Sequence, residues 1–121
     1  MIPDPEAVAR AYAVLAPELG VSPRVSEAAI RVALREADHL SNDVYDVPAA
    51  MLFTLGRYPR CFGGFRAMSV LVVEWHIKTL GFKLEATRSE LAEVLTRVAL
   101  HDLTLEEVQA WVVERMLPFG G

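Results

Sequence analysis

The chain has 121 residues, of which 53% are hydrophobic and 23% charged, and its formal net charge is −4. These values are typical of a compact protein with one core, so we expect a single domain over residues 1–121. The basic residues are scattered and form no stripe, which argues against a nucleic-acid partner. Cys61 is the one cysteine, which excludes an internal disulfide and a cysteine-built metal site.

Two further classes of protein are disfavoured by the sequence. The first residues show no basic start followed by an apolar run, so no signal peptide is predicted. The longest apolar stretch, residues 68–75, is interrupted by Ser69 and Glu74 and is too short to span a bilayer. We therefore expect a cytoplasmic protein without a membrane partner. The three histidines show no metal-ligand spacing, so we expect no metal and no cofactor.

Helices are predicted along most of the chain. The first covers residues 5–19, because Asp4 can cap it, Pro5 suits its first position and Gly20 can end it. The second covers about residues 26–39. Its predicted apolar face consists of Ile30, Val32, Ala33 and Ala37.

A polar loop at residues 40–45 separates the second helix from the third. The third helix is predicted to begin after Asp46, with Pro48 in its first turn. It ends near Arg57, because Pro59 disfavours helical backbone at the residue before it.

The fourth helix, residues 64–80, is apolar nearly all round, and Gly81 ends it. Such a helix is typical of the buried centre of a bundle. We expect His76 to be buried or half-buried there, with a hydrogen-bond partner. The apolar residues are Met68, Val70, Leu71, Val72, Val73, Trp75, Ile77 and Leu80.

The remaining elements are predicted from two capping boxes. After a short extended piece at residues 82–86, Thr87 with Glu90 opens a fifth helix, and Thr104 with Glu107 opens a sixth. Residues 116–121 are predicted to be a tail. The sequence thus predicts an all-α fold, a six-helix bundle around a buried central helix at about residues 64–80. The residues predicted to face inward on the sixth helix are Val108, Trp111, Val112 and Met116.

Residues 58–66, which read YPRCFGGFR, run directly into the fourth helix. Free amide groups at a helix start bind anions, and glycines let a phosphate come close to the backbone. Gly63 and Gly64, followed by Arg66 in the first turn, therefore predict an anion site. The alternative is a tight turn that leads into a buried helix, with Arg66 solvated or paired to an acid.

The order and spacing of these features from about residue 21 to residue 116 resemble the Doc branch of the Fic family. The resemblance lies in the glycine-opened central helix, in LGFKLEAT at residues 80–87 and in LTLEEV at residues 103–108. It implies a Fic/Doc-like bundle. Family members carry the motif H-x-F-x-(D/E)-G-N-K-R and transfer AMP, or in Doc proteins a phosphate, onto a protein hydroxyl. In toxin–antitoxin pairs a small partner protein blocks the site.

Most of the motif is replaced in this chain, where only its glycine, at Gly63, and its arginine, at Arg66, are retained. In the family the histidine is the general base, and the acid holds a metal ion on the phosphates. The substituted positions are Tyr58 for the histidine, Arg60 for the phenylalanine, Phe62 for the acid, Gly64 for the asparagine and Phe65 for the lysine.

These replacements predict that ordinary Fic or Doc chemistry is lost. The reference pKa of tyrosine is near 10, against about 6.5 for histidine, so Tyr58 would serve as a base near neutral pH only at a cost of roughly 4 kcal/mol. The aromatic Phe62 removes the magnesium ligand, and magnesium is the main charge neutraliser in phosphoryl transfer.

Three functional hypotheses remain from the sequence. The favoured one is a degenerate Doc-like protein that acts by binding through Gly63, Gly64, Phe65 and Arg66. Its partner is a small antitoxin-like protein, a cellular protein, a small-molecule ligand or a second copy of itself. The second is a repurposed enzyme that acts on a small molecule through Tyr58, Arg60, Cys61 and Arg66, with Cys61 as an activated thiol beside a helix start. The third is a toxin that still transfers phosphate or AMP.

The segment before the third helix has two interpretations. In family members this region forms a flap that holds the target chain, and here it contains Asp43, Tyr45 and Asp46. The other interpretation is a loop that only caps the third helix.

Overall fold

The computed structural model describes residues 2–20, 26–58 and 65–118. These residues form six helices and two short strands, so the predicted all-α class is confirmed, whereas the Fic/Doc-like arrangement stays a prediction. None of the described helices is both long enough and apolar enough to cross a membrane. The helices are α1 Pro5–Leu19, α2 Glu27–Leu40, α3 Val47–Arg57, α4 Phe65–Thr79, α5 Arg88–Ala99 and α6 Leu105–Val113.

The helix ends lie where the capping residues of the sequence predict them. The Asp4 carboxylate accepts a hydrogen bond from the Glu6 N–H at 3.1 Å, and Gly20 ends α1 in the left-handed region at φ 67°. Both predicted capping boxes are present, with Thr87 at the start of α5 and Thr104 at the start of α6. In each box the threonine hydroxyl and the glutamate carboxylate satisfy two backbone N–H groups that the helix leaves unbonded.

α3 shares the centre of the bundle with α4. It packs against α2, α4, α5 and α6, and nine of its eleven residues are buried. A close approach to α5 explains Gly56, because a Cβ atom there would lie 2.8 Å from Val98 Cγ1 and 3.3 Å from the Leu95 carbonyl oxygen. The small residue therefore sets the distance between these two helices.

Three predictions, two about individual residues and one about a segment, are wrong. Val32, predicted on the buried face of α2, is 52% exposed. It lies two residues from the buried Ile30, which is about 200° around a helix, and the buried face is completed by Leu34 instead. Trp75, predicted in a helix that is apolar and buried nearly all round, is 43% exposed on the outer side of α4.

The third error concerns residues 116–118, predicted to belong to a tail, and Met116, predicted on the inner face of the sixth helix; residues 119–121 lie outside the described residues. Met116–Pro118 form strand β2, which pairs antiparallel with strand β1, Phe82–Leu84, and sets Phe82 opposite Pro118. The ladder is continued by the Glu85 N–H, which donates to the Arg115 carbonyl oxygen at 2.7 Å. This pairing satisfies backbone groups of a segment that has no helical partner, because α6 ends at Val113.

Candidate functional site

The structure describes only part of the site predicted from the motif. Tyr58 is described with its side chain, and the backbone of Phe65 and Arg66 forms the first turn of α4. Arg60, Cys61, Phe62, Gly63 and Gly64 lie outside the described residues, as do the side chains of Phe65 and Arg66. The anion site and the Cys61 thiol therefore stay predictions.

Tyr58 ends α3 and reaches back to α2. Its backbone N–H donates to the carbonyl oxygens of Thr54 and Leu55, at 3.1 and 3.3 Å, which caps the helix. Its half-buried ring packs against the core, and its hydroxyl donates to Glu36 Oε2 at 2.6 Å. The first residue of the motif is thus joined to the second helix by a charge-assisted hydrogen bond.

The direction of this hydrogen bond limits the chemistry of Tyr58. A general base must present a lone pair to the proton that it removes, whereas here the tyrosine proton points to a carboxylate. Deprotonated Tyr58 would place a second negative charge 2.6 Å from that carboxylate. The pair is suited to hold two helices together.

The segment before α3 forms a capping loop. Asp43 Oδ1 accepts from the N–H groups of Tyr45 and Asp46, at 2.8 and 3.2 Å. Asp46 Oδ2 accepts from the Asn42 N–H at 3.1 Å. The Tyr45 ring is 54% exposed and meets the Phe82 ring of β1 edge-on, with 5.6 Å between the centroids. These contacts support the capping interpretation, and the role as a flap stays a prediction.

Two buried polar side chains of α4 have no hydrogen-bond partner in the described structure. They are Ser69, at Oγ, and His76, at Nε2. The two residues are seven apart and so lie on one face of the helix. Burial lowers the pKa of His76, which keeps the imidazole neutral near pH 7. His76 is buried as predicted, but the hydrogen bond predicted for it is absent at Nε2.

A groove on the outer side of α4 is the feature that the sequence interpretation missed. It has a volume of about 230 Å³ and is lined by Trp75, Glu74 and Lys78, together with residues of α1 and Arg88 of α5. Leu71, Trp75 and Lys78 follow one another at spacings of four and three residues, which places them on one helix face. That spacing could have indicated an exposed face on a helix predicted to be buried all round.

No model of a protein family matches this chain, and no curated protein matches it. The Fic/Doc resemblance therefore depends on the residues quoted above, and the function is argued from the contacts of the site.

Proposed function

We propose that the chain is a Doc-like protein of the Fic fold that has lost AMP and phosphate transfer and acts by binding. Its partner, a small antitoxin-like protein or another ligand, would occupy the cleft in front of the first turn of α4. The observation that carries this proposal is the hydrogen bond from the Tyr58 hydroxyl to Glu36. The residue at the position of the family's base holds its proton against a carboxylate.

The order of the described elements supports the choice of scaffold. A helix that is largely buried begins at Phe65, near the end of the motif, and is followed by a short strand and two helices opened by capping boxes. These are the features on which the resemblance depends. The aromatic residue at position 62, where the family has its metal-binding acid, supports the loss of phosphoryl chemistry.

A transfer assay with a restored motif tests the loss of catalysis. Purified protein is incubated with magnesium, labelled ATP or GTP, and an extract that contains protein acceptors. We expect no labelled protein from the native chain. The comparison is a variant in which Tyr58→His, Arg60→Phe, Phe62→Asp, Gly64→Asn and Phe65→Lys rebuild the family motif. Labelling by the native chain that disappears in Tyr58→Phe would overturn the proposal.

Nucleotide affinity is measured separately from transfer. The family's nucleotide site depends on its motif arginine, so the melting temperature is compared for the native chain and for Arg66→Ala, with and without ATP and GTP. A ligand at 100 times its dissociation constant stabilises a protein by about 2.7 kcal/mol, which such a measurement detects readily. We expect no shift for either protein. A shift that Arg66→Ala abolishes would support a surviving transferase instead.

The binding role is tested with the product of a neighbouring short reading frame. The two proteins are co-expressed, and the mass of any complex is measured by size-exclusion chromatography with light scattering. We expect a stable complex that Arg66→Ala weakens, with Arg31→Gln on α2 as the matched control, because Arg31 pairs with Glu27 on an exposed surface. A complex that both variants leave unchanged would place the interface away from the motif.

A further inference from the structure

The groove on the outer side of α4 has an apolar floor. It lies between α1 and α4, encloses about 230 Å³ and is open to solvent. Its floor residues are buried or half-buried, and Trp75 forms a wall that is 43% exposed. The apolar lining consists of Val8, Ala11, Met68, Leu71, Val72 and Trp75.

One end of this groove is charged. Glu74, Lys78 and Arg88 line it there, and they also line a second cavity of about 210 Å³ that adds Lys83 and Leu84. Three cations and one carboxylate leave this end with a local charge of about +2, although the chain as a whole has a net charge of −4. An apolar recess that opens onto a local excess of positive charge favours an anion with an apolar body.

The cationic side chains at this end of the groove can bind a carboxylate in addition to that of Glu74. Arg88 pairs with Glu74 Oε1 through its Nε atom, at 3.4 Å. Among the described residues, Lys78 and Lys83 have no ion pair. A guanidinium presents several N–H groups in one plane, which suits a carboxylate, and the ammonium of Lys78 adds a second positive charge.

The volume of the groove distinguishes a small ligand from a helical partner. A dry cavity of about 150 Å³ is large enough to bind benzene. A recess of about 230 Å³ therefore fits one ring with a short chain, or a branched aliphatic group. An α-helix with its side chains is roughly 10–12 Å across and does not enter a space of this size.

We propose that this groove binds a small carboxylic acid with an aromatic or aliphatic body. The body lies between α1 and α4 against Trp75, and the carboxylate lies between Lys78 and Arg88. The site is on the outer side of α4, and its assignment does not rest on the Fic/Doc proposal. Either proposal can fail without the other.

Matched probes test the charge of the ligand. The acids are 3-phenylpropionate and octanoate, and the controls are 3-phenylpropionamide, which is neutral, and 3-phenylpropylamine, which is cationic. Binding is measured by the fluorescence of Trp75 in a Trp111→Phe background and by chemical-shift changes in two-dimensional NMR spectra. We expect saturable binding of both acids, about tenfold or more tighter than the amide, with the amine weakest. Equal binding of the acid, the amide and the amine would overturn the proposal.

Variants then assign the two ends of the site. The double variant Lys78→Gln with Arg88→Gln should bring the affinity for 3-phenylpropionate down to that of its amide. Arg97→Gln is the control, because Arg97 is also on α5 but pairs with Asp102 outside the groove. Ala11→Leu fills the recess and should abolish binding of all probes.

A second substitution in the same groove keeps the test valid if Ala11→Leu fails to fold. In the unmodified background, Trp75→Ala removes the half-exposed wall of the groove, and its binding is measured by NMR. Loss of acid binding at an unchanged circular dichroism spectrum is the expected result for both variants. Unchanged acid binding in Trp75→Ala and in the double cation variant would show that the acid binds elsewhere.

Discussion

Tyr58 connects two helices through its side chain. Its hydroxyl joins the end of α3 to Glu36 on α2, and the two partners are 22 positions apart in the sequence. A hydrogen bond to a charged group contributes about 1.5–3 kcal/mol when it is well shielded. Tyr58 is only half-buried, so the lower part of this range applies.

Removal of the Tyr58 hydroxyl should therefore reduce stability. We expect Tyr58→Phe to lower the free energy of unfolding by about 1–2 kcal/mol in a urea titration, because Glu36 loses its donor. Tyr45→Phe is the matched control and should change it by less than about 0.5 kcal/mol, since the Tyr45 ring is 54% exposed. Equal losses of unfolding free energy in the two variants would contradict a stabilising hydrogen bond between Tyr58 and Glu36.

His76 predicts a loss of stability in mild acid. Burial lowers its pKa in the folded protein, so below about pH 6.5 the unfolded chain binds more protons at this position than the folded one. The stability associated with the neutral imidazole is complete above about pH 6.5. It falls as the pH drops from there through the lowered pKa.

The measurement compares two histidine variants. The free energy of unfolding is followed from pH 7.5 to pH 5 for the native chain, for His76→Gln and for His39→Gln, which removes an exposed histidine. We expect the pH dependence to be weaker in His76→Gln and unchanged in His39→Gln. Parallel curves for all three proteins would show that the folded state does not disfavour protonation at this site.

Sequence reasoning succeeded with single residues where the cause is local. Asp4, Thr87 and Thr104 cap helices through backbone groups two or three residues away, so their roles can be read from spacing. The partner of Tyr58 could not be predicted, because a contact over 22 residues depends on how two helices pack. The groove beside Trp75 was missed for the same reason.

At the level of elements, the contact of α3 with α5 depends on one glycine. Gly56→Ala would normally stabilise a helix by about 0.5–1 kcal/mol. Here the added methyl group would lie 2.8 Å from Val98 Cγ1 and 3.3 Å from a backbone oxygen, so we expect a net loss of about 1–3 kcal/mol in the free energy of unfolding.

A double variant tests whether a steric clash causes the loss of stability expected in Gly56→Ala. Val98→Ala removes the atoms that the new methyl group meets, so Gly56→Ala should cost less in that background than in the native one. The readout is a double-mutant cycle from urea titrations of the four proteins. Additive effects of the two substitutions would exclude the clash as the reason for the glycine.

The elements differ in how far the sequence predicts them. The six helices follow from capping residues and 3.6-residue periodicity, and the bounds predicted for the first four lie within about one residue of the observed ones. The sixth helix is shorter than predicted, because it ends at Val113 and Met116 lies in β2. Strand β2 was predicted to be a tail, because a strand of three residues has too little periodicity to recognise. Its structure depends on pairing with β1, which the helices α5 and α6 separate from it in sequence.

On the scale of the whole molecule, α3 connects four of the other helices. Because the described core is continuous through it, we expect the molecule to unfold in one cooperative transition. Circular dichroism reports all helices, and single-tryptophan variants report α4 through Trp75 or α6 through Trp111. The three urea midpoints should coincide. An earlier midpoint for Trp111 would mean that α5 and α6 form a separate unit.

The sequence predicted an all-α bundle but not which helix contacts which. Apolar periodicity shows that each helix buries a face, and it contains no information on the partner of that face. The prediction that α4 alone forms the centre of the bundle is therefore incomplete. α3 is short, but nine of its eleven residues are buried.

The pairing of β1 with β2 has a consequence for protein engineering. Because Phe82 lies opposite Pro118, the segment that contains α5 and α6 departs from the bundle and returns to it at one place. A segment with this geometry is suited to exchange between homologues, since a replacement needs only matching ends and a compatible inner surface. The Val98 side chain lies directly against Gly56, so chimeras with a side chain no larger than valine at position 98 should be the ones that fold.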